Sequence, residues 1–292
     1  MEHLKQLTDL PIFHDDQDGT AIVLGAGLIN ALKIVNKQWQ NLKIVINGAG
    51  AAAIASAKLL VAFGVSKEQI YMCDRGGLLV KSRELNRYKS EWAQDLPEQQ
   101  LAEVIVGADL FIGVSTRDLL SKEMAAQMNK DAIVFAVANP IPEIMPEVAK
   151  AAGVRIVGTG RSDYPNQVNN SLGFPGLFRA VLDVRARAIN CEMCVAAAKA
   201  LADLAREPAS GSSLAMLKRA YPLEAAAGVF DRSQPLSDEY LIPKQFDLRV
   251  VPRVARAVAE AAIATKVNQV KIDDLQAYEQ AVASRVTKNW ST

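Results

Sequence analysis

The chain has 292 residues, 50% of them hydrophobic and 22% charged, with 33 Lys and Arg against 32 Asp and Glu and a formal net charge of +1. That length carries one large or two medium domains with a real core, and the charge balance excludes nucleic acid as a partner, whose signature is a basic excess. Three cysteines (Cys73, Cys191, Cys194) give no disulfide framework, the N-terminal stretch has no apolar core of signal-peptide length, and no apolar run approaches a membrane span, so a cytoplasmic, reduced protein with no membrane partner is expected.

In chain order, the first informative stretch is "FHDDQDGTA", Phe13 to Ala21, which sets Asp15, Asp16 and Asp18 close together. An EF-hand loop fails: Gly19 at position 6 puts His14 at position 1 and Gly25 at position 12. Two readings stay open. Asp16 or Asp18 caps a helix starting near Thr20, or the carboxylates form part of a hard-cation site whose other ligands come from elsewhere.

"AIVLGAGLINALKIV" then reads as an apolar helix and "LKIVING" as a short strand ending at Gly48. "AAAIASAKLLVAFG" is a helix with a stop at Gly64, and "QIYMCD" is the next strand. Strands over Leu110–Ser115, Ala132–Pro140 and Val154–Gly160 follow, with helical segments such as "SKEMAAQM" and "MPEVAKAAG" between them. Near-continuous apolar strands alternating with helices predict an α/β fold with a Rossmann-type, doubly wound parallel sheet. Beyond about residue 180 the pattern is helical: "AVLDVRARAINCEMCVAAAKALADLA", "PRVARAVAEAAIATKV" and "DDLQAYEQAVASRV", with a long loop from Glu207 to Asp247. Cys191 and Cys194, on a helix without a redox context, are expected to pack in the core.

The first strand runs into Gly48-Ala49-Gly50-Ala51-Ala52-Ala53, a G-x-G-x-x-A loop between strand and helix. Gly48 permits the tight turn, Gly50 lets the backbone approach a pyrophosphate, and Ala53 lets helix and strand pack closely, so the loop's N–H groups meet the anion. Asp74 ends the second strand 21 residues beyond Ala53, where a carboxylate accepts from ribose hydroxyls. That favours NAD; Arg75 leaves NADP open. Ser115 and Asn139 end two further strands on the ligand-binding side, with Asn139 either a contact to nicotinamide or substrate or simply a turn starter. The domain expectation is a linker with the acidic stretch over 1–21 and one NAD(P)-binding domain over 22–292, including a helical extension over about 180–292. The polar segment Thr159 to Phe178, with Asn169 and Asn170, reads as a substrate loop.

Taken together, "FHDDQDGTAIV", "INGAGAAAIASAKLL", "ANPIPEI", "TGRSDYPNQVNNSLGFPGLFRAVLDVRA" and "VVPRVARAVAEAAI" resemble the prokaryotic malic enzymes, in order and over nearly the whole chain. The resemblance implies oxidation of (S)-malate with NAD or NADP and decarboxylation to pyruvate, with Mg²⁺ or Mn²⁺, in a homodimer. It implies that Asp16, with Asp15 beside it, ligates the metal, and that Asn139 and Asn170, with Asn169 as neighbour, line the nicotinamide and malate pocket. The family's catalytic Tyr and Lys, and a Glu-Asp metal pair, lie ahead of the paired aspartates; "MEHLKQLTDLPI" holds only Lys5 of these, so the general base and acid are expected in an N-terminal domain that this chain lacks. Asp18 stands where bacterial members usually carry His.

Overall fold

The computed structural model describes residue 4 and residues 7–290, the side chains of 289 and 290 excepted; Lys5 lies outside the described residues. The chain divides into two compact units, residues 27–168 and residues 1–26 with 169–292. This differs from a division at residue 22: the acidic stretch belongs to the same unit as the C-terminal helices.

Residues 27–168 build a six-stranded sheet: β1 Ile44–Asn47, β2 Ile70–Asp74, β3 Gly77–Leu78, β4 Leu110–Gly113, β5 Ile133–Ala136 and β6 Ile156–Thr159. Their order is β3-β2-β1-β4-β5-β6, all parallel except the two-residue edge strand β3, which turns back on β2. Every residue of β1, β4, β5 and β6 is buried, which is why these strands read as unbroken apolar runs. One face packs Val45, Phe111, Val134 and Val157 into a common cluster with Ile105, Val104 and Ile144. Chain order reverses between β1 and β4, the topological switch point where open α/β sheets leave a ligand crevice. Helix α1, Ala51–Ala62, links β1 to β2, while the segment expected as a helix over "SKEMAAQM" contains only the single turn Lys122–Ala125, capped by Ser121.

In the other unit, Val250–Ala264 packs against Phe174–Asp183, Cys191–Leu204 and Leu275–Trp290. Its buried Val254, Ala255, Val258, Ala259 and Ala262 form one helical stripe. A Cβ on Gly176 would lie 2.6 Å from the Val254 Cβ and 2.9 Å from the Val251 carbonyl, so glycine sets the closeness of that helix crossing. The single helix expected after residue 180 is two. The first ends at Asp183, Arg185 turns the chain with φ 47, and the Asn190 side chain accepts from the Met193 N–H to start the next. The long loop from Glu207 to Asp247 also contains helices, Gly211–Ala220 and Pro222–Ala226, above a small core of Ala205, Leu217, Phe230 and Tyr240. Cys191 is exposed and Cys194 half-buried, so the expected core role fails for Cys191, which sits in a helix's first turn. The basic run near Arg253 forms ion pairs: Arg253 meets Glu207 at 2.8 Å and Glu279 at 3.1 Å.

Asp15 to Val35 is 21 helical residues, long and apolar enough by composition alone to cross a membrane, against the expectation of no such run. The acidic turn ahead of Thr20 supplies the extra length, and 67% of the apolar window is buried inside the protein, as in a core helix.

Candidate functional site

The glycine loop follows β1 directly. The Gly48 N–H donates to the Cys73 carbonyl at 2.8 Å, which ties the loop to the end of β2. Gly48 has φ 129, and a Cβ there would lie 2.8 Å from the Val114 carbonyl, so only glycine fits. Gly50 is different: its φ of −88 suits any residue, yet a Cβ would meet nothing within 4 Å. Glycine there keeps a space empty rather than relieving a clash. Helix α1 begins at the exposed Ala51, and Ala53 is 1% exposed, packed against the sheet. The first N–H groups of this helix have no partner within it and face an anion naturally.

At the ends of β4 and β5 a buried carboxylate organises the backbone. Glu143 is fully buried and accepts from the Ser115 N–H at 3.0 Å and the Ala138 N–H at 3.1 Å. Burial pushes its pKa up; the two backbone donors pull against that. Gly113, the last residue of β4, makes room, since a Cβ would sit 2.3 Å from the Glu143 carboxyl carbon. The Ser115 hydroxyl in turn accepts from the Asn47 amide at 3.2 Å. Asn139 follows Ala138, is exposed, precedes a cis proline, and lies over Gly160. Sequence reasoning missed Glu143, whose only trace is its place after the Asn-Pro turn.

Asp74 ends β2 as expected, but its carboxylate is engaged. Arg83 Nη2 donates to Oδ1 at 2.7 Å, the Gly76 N–H to the same oxygen at 2.9 Å, and Lys89 Nζ to Oδ2 at 2.6 Å. Burial raises its pKa, but the hydrogen bonds from Lys89, Arg83 and Gly76 outweigh this and hold the carboxyl below the usual range. Arg75 is exposed and makes no ion pair among the described residues.

The aspartates of the other unit form a π-type turn, Asp15–Gly19, ahead of the helix. His14 occupies the cap position, and neither Asp16 nor Asp18 caps; that reading fails because the turn's N–H groups bond backbone carbonyls instead. Asp15 Oδ1 is buried without a hydrogen-bond partner, as is His14 Nδ1. Burial, then the Asp16 charge, raise the Asp15 pKa, with His14 opposing. Gly19 leaves room for this carboxylate: a Cβ would lie 2.1 Å from Asp15 Oδ1. Asn170 brings its amide to Asp16 Oδ1 at 3.5 Å, while the Asn169 side-chain oxygen caps the following turn by accepting from the Ser171 N–H at 3.0 Å. An orphaned buried oxygen beside a second carboxylate fits a divalent cation. The donor set is partial, because the described residues contain no group of three His, Cys, Asp or Glu suited to a metal.

A parallel sheet with a glycine loop at its switch point and an open space over Gly50 defines a Rossmann-type dinucleotide-binding domain. Residues 17–222 match the family model described as malic enzyme, NAD binding domain, and the chain belongs to that family. It is 47% identical over 288 residues to a probable NADP-dependent malic enzyme of Rickettsia prowazekii, covering 98% of this chain and 36% of that one. It is 48% identical over 285 residues to the bifunctional malic/malolactic enzyme of Bacillus subtilis, covering 96% and 63% respectively. The crystal structure of Entamoeba histolytica malic enzyme superposes with a TM-score of 0.85 at 34% identity, covering 98% of this chain and 56% of that one. The chain therefore spans only part of the length of the relatives it matches.

Proposed function

We propose that this chain is the dinucleotide-binding part of an enzyme that oxidises (S)-malate and decarboxylates the product to pyruvate, using NAD or NADP and Mg²⁺ or Mn²⁺. The observation that carries the reading is the Gly48–Ala53 loop with its vacant Gly50 side, in a chain of this family. Gly48, Ala49, Gly50, Ala51, Ala52 and Ala53 bind the pyrophosphate through backbone N–H groups. Asp74 and Arg75 stand at the adenosine ribose, and Ser115 and Asn139 at the nicotinamide side. Asp16 and Asp15 hold the cation. Asn139, Asn169 and Asn170 are the candidate malate contacts: the Asn169 amide nitrogen is free to donate once its oxygen caps the turn.

Bound in these places, the nicotinamide would accept hydride from C2 and the cation would polarise the malate hydroxyl and stabilise the enolate left by carbon dioxide. Asp15 and Asp16 supply the negative charge that would hold the cation, which offsets the repulsion between these carboxylates and the anionic hydroxy acid. Glu143 fixes the Ser115 and Ala138 backbone, so that the strand ends meet the cofactor in one conformation. The general base and acid are not assigned to residues of this chain. A homodimer in the cytoplasm, working on a small-molecule substrate, accompanies the reading.

A second reading is a nucleotide-binding module without turnover, favoured by the partial donor set at Asp15 and Asp16. Assaying the purified chain for malate-dependent NADH or NADPH formation with Mn²⁺, alongside dinucleotide titration, separates the two. Binding with turnover supports the enzyme; binding without turnover supports the module; no binding of either dinucleotide contradicts both.

A further inference from the structure

We propose that Cys191 and Cys194 form a reversible dithiol–disulfide pair, a modification site whose reaction partner is a small organic disulfide. The site lies in the helical unit and uses none of the residues of the dinucleotide reading.

The exposure of Cys191 leaves the core role unfilled and the thiol pair to be explained. Neither cysteine is in a disulfide. Cys191 is the first residue of the helix Cys191–Leu204, and Cys194 is the fourth. Residues three apart on a helix share one face, with Cβ atoms about 5–6 Å apart. A disulfide asks for about 3.5–4.5 Å, so the first turn must tighten by roughly 1–2 Å.

This turn can give that much. The N–H of a helix's first residue has no partner inside the helix. The Met193 N–H is held by the Asn190 side chain rather than by a helix carbonyl, and the Cys194 N–H reaches the Asn190 carbonyl only at 3.3 Å. The frame behind the turn is firm. The Asn190 amide donates to the Thr265 hydroxyl at 2.8 Å, and that hydroxyl donates to the Ala261 carbonyl at 2.7 Å. The two sulfurs therefore approach one another without moving the helix.

Access sets the order of events. Cys191 is exposed and Cys194 half-buried, so an incoming disulfide meets Cys191 first. The Cys191 thiolate attacks one sulfur and forms a mixed disulfide, while the other sulfur leaves as a thiolate. The Cys194 thiolate then attacks Cys191 Sγ, closes the Cys191–Cys194 bond and releases the second small thiolate. Two electrons pass from the protein to the small disulfide, and the two protein thiol protons end on the two released thiols. Excess small thiol runs the same steps backwards.

A catalytic nucleophile fits this place poorly. Burial, then the charges of Glu192 and Asp18, push the Cys191 thiol up, so attack is slow near neutrality and quickens with pH. An exchange site that works at equilibrium tolerates slow attack. Cys73 is buried in β2 with its thiol pushed up to about 12, so it stays out of the exchange and serves as an internal control.

The test is mass spectrometry of the full chain equilibrated at about pH 8, near the ordinary thiol pKa, with reduced and oxidised glutathione in varied ratio. Samples are quenched with acid, unfolded and alkylated. The expected result is a passage from three alkylated cysteines to one, with loss of two hydrogens, no retained glutathione and full return on adding dithiothreitol. Cys194→Ser should hold one glutathione on Cys191, and Cys191→Ser should take up glutathione roughly tenfold more slowly or less. A wild-type chain that keeps all three thiols in oxidised glutathione, or that accumulates a lasting mixed disulfide or a disulfide between two chains, overturns the proposal without recourse to either variant. Equal uptake by the two variants overturns it as well. No outcome bears on the dinucleotide reading.

Discussion

Asp15 is stored at a cost. Its carboxylate is half-buried, beside the charged Asp16, with one oxygen unpaired, so the free protein is destabilised where a cation would be stabilised. Asp15→Asn should therefore raise the stability of the metal-free protein at neutral pH by about 0.5–2 kcal/mol, the usual gain when a functional group is removed. The same variant should lose the rise in Tm that millimolar Mn²⁺ gives the unmodified chain. Differential scanning fluorimetry with and without Mn²⁺ measures both; a wild-type chain whose Tm ignores Mn²⁺ would remove the cation site. Gly48 is the opposite case, a residue with no chemistry of its own. At φ 129 and against the Val114 carbonyl, Gly48→Ala should cost roughly 1–3 kcal/mol, read by chemical denaturation.

Among the elements, the sheet was legible and the staple across its end was not. Strands β1, β2, β4, β5 and β6 were readable because each is a short apolar run bounded by turn residues, and the glycine loop because its spacing is local. Glu143 was invisible, since its role comes from a loop folding back onto two strand ends that are distant in sequence. The engagement of Asp74 by Arg83 and Lys89 was hidden for the same reason, and the long loop from Glu207 concealed helices because their apolar residues serve a small satellite core. The two aspartates were readable as a candidate pair, but not the π-type turn that orphans one oxygen. The staple makes its own prediction. Glu143→Ala leaves two buried backbone N–H groups without acceptors and should destabilise the domain by about 1–3 kcal/mol for each, with a larger loss of dinucleotide affinity than Tm alone explains. In the helical unit, Gly176→Ala should cost about 1–3 kcal/mol by forcing the Phe174–Asp183 and Val250–Ala264 helices apart.

For the molecule as a whole, acid is the expected weakness. Arg253 hydrogen bonds hold Glu207 below its ordinary range; at Asp74 and Glu224 burial raises the pKa, but hydrogen bonds, led by Lys89 at Asp74 and Lys244 at Glu224, win and lower it. A carboxylate depressed by folding contributes stability that is present above its unfolded pKa and lost as pH falls through the folded one. Glu143 runs the other way: raised by burial, its contribution is complete below its unfolded pKa and fades as pH rises through the folded value. Asp15, also raised, runs with Glu143; the three depressed groups outnumber these two, so Tm should hold near neutrality and fall below about pH 4, where unperturbed carboxyls protonate. A Tm that rises on acidification would contradict this balance.

The most direct test of the central claim uses Gly50, where the fold asks for nothing and the ligand asks for space. Because a Cβ there meets no atom within 4 Å and the backbone is ordinary, Gly50→Ala should leave the Tm within a few degrees of wild type while weakening NAD and NADP binding at least tenfold by calorimetric titration. A Gly50→Ala chain that binds both dinucleotides as tightly as the unmodified protein would show that the pyrophosphate does not lie on this loop.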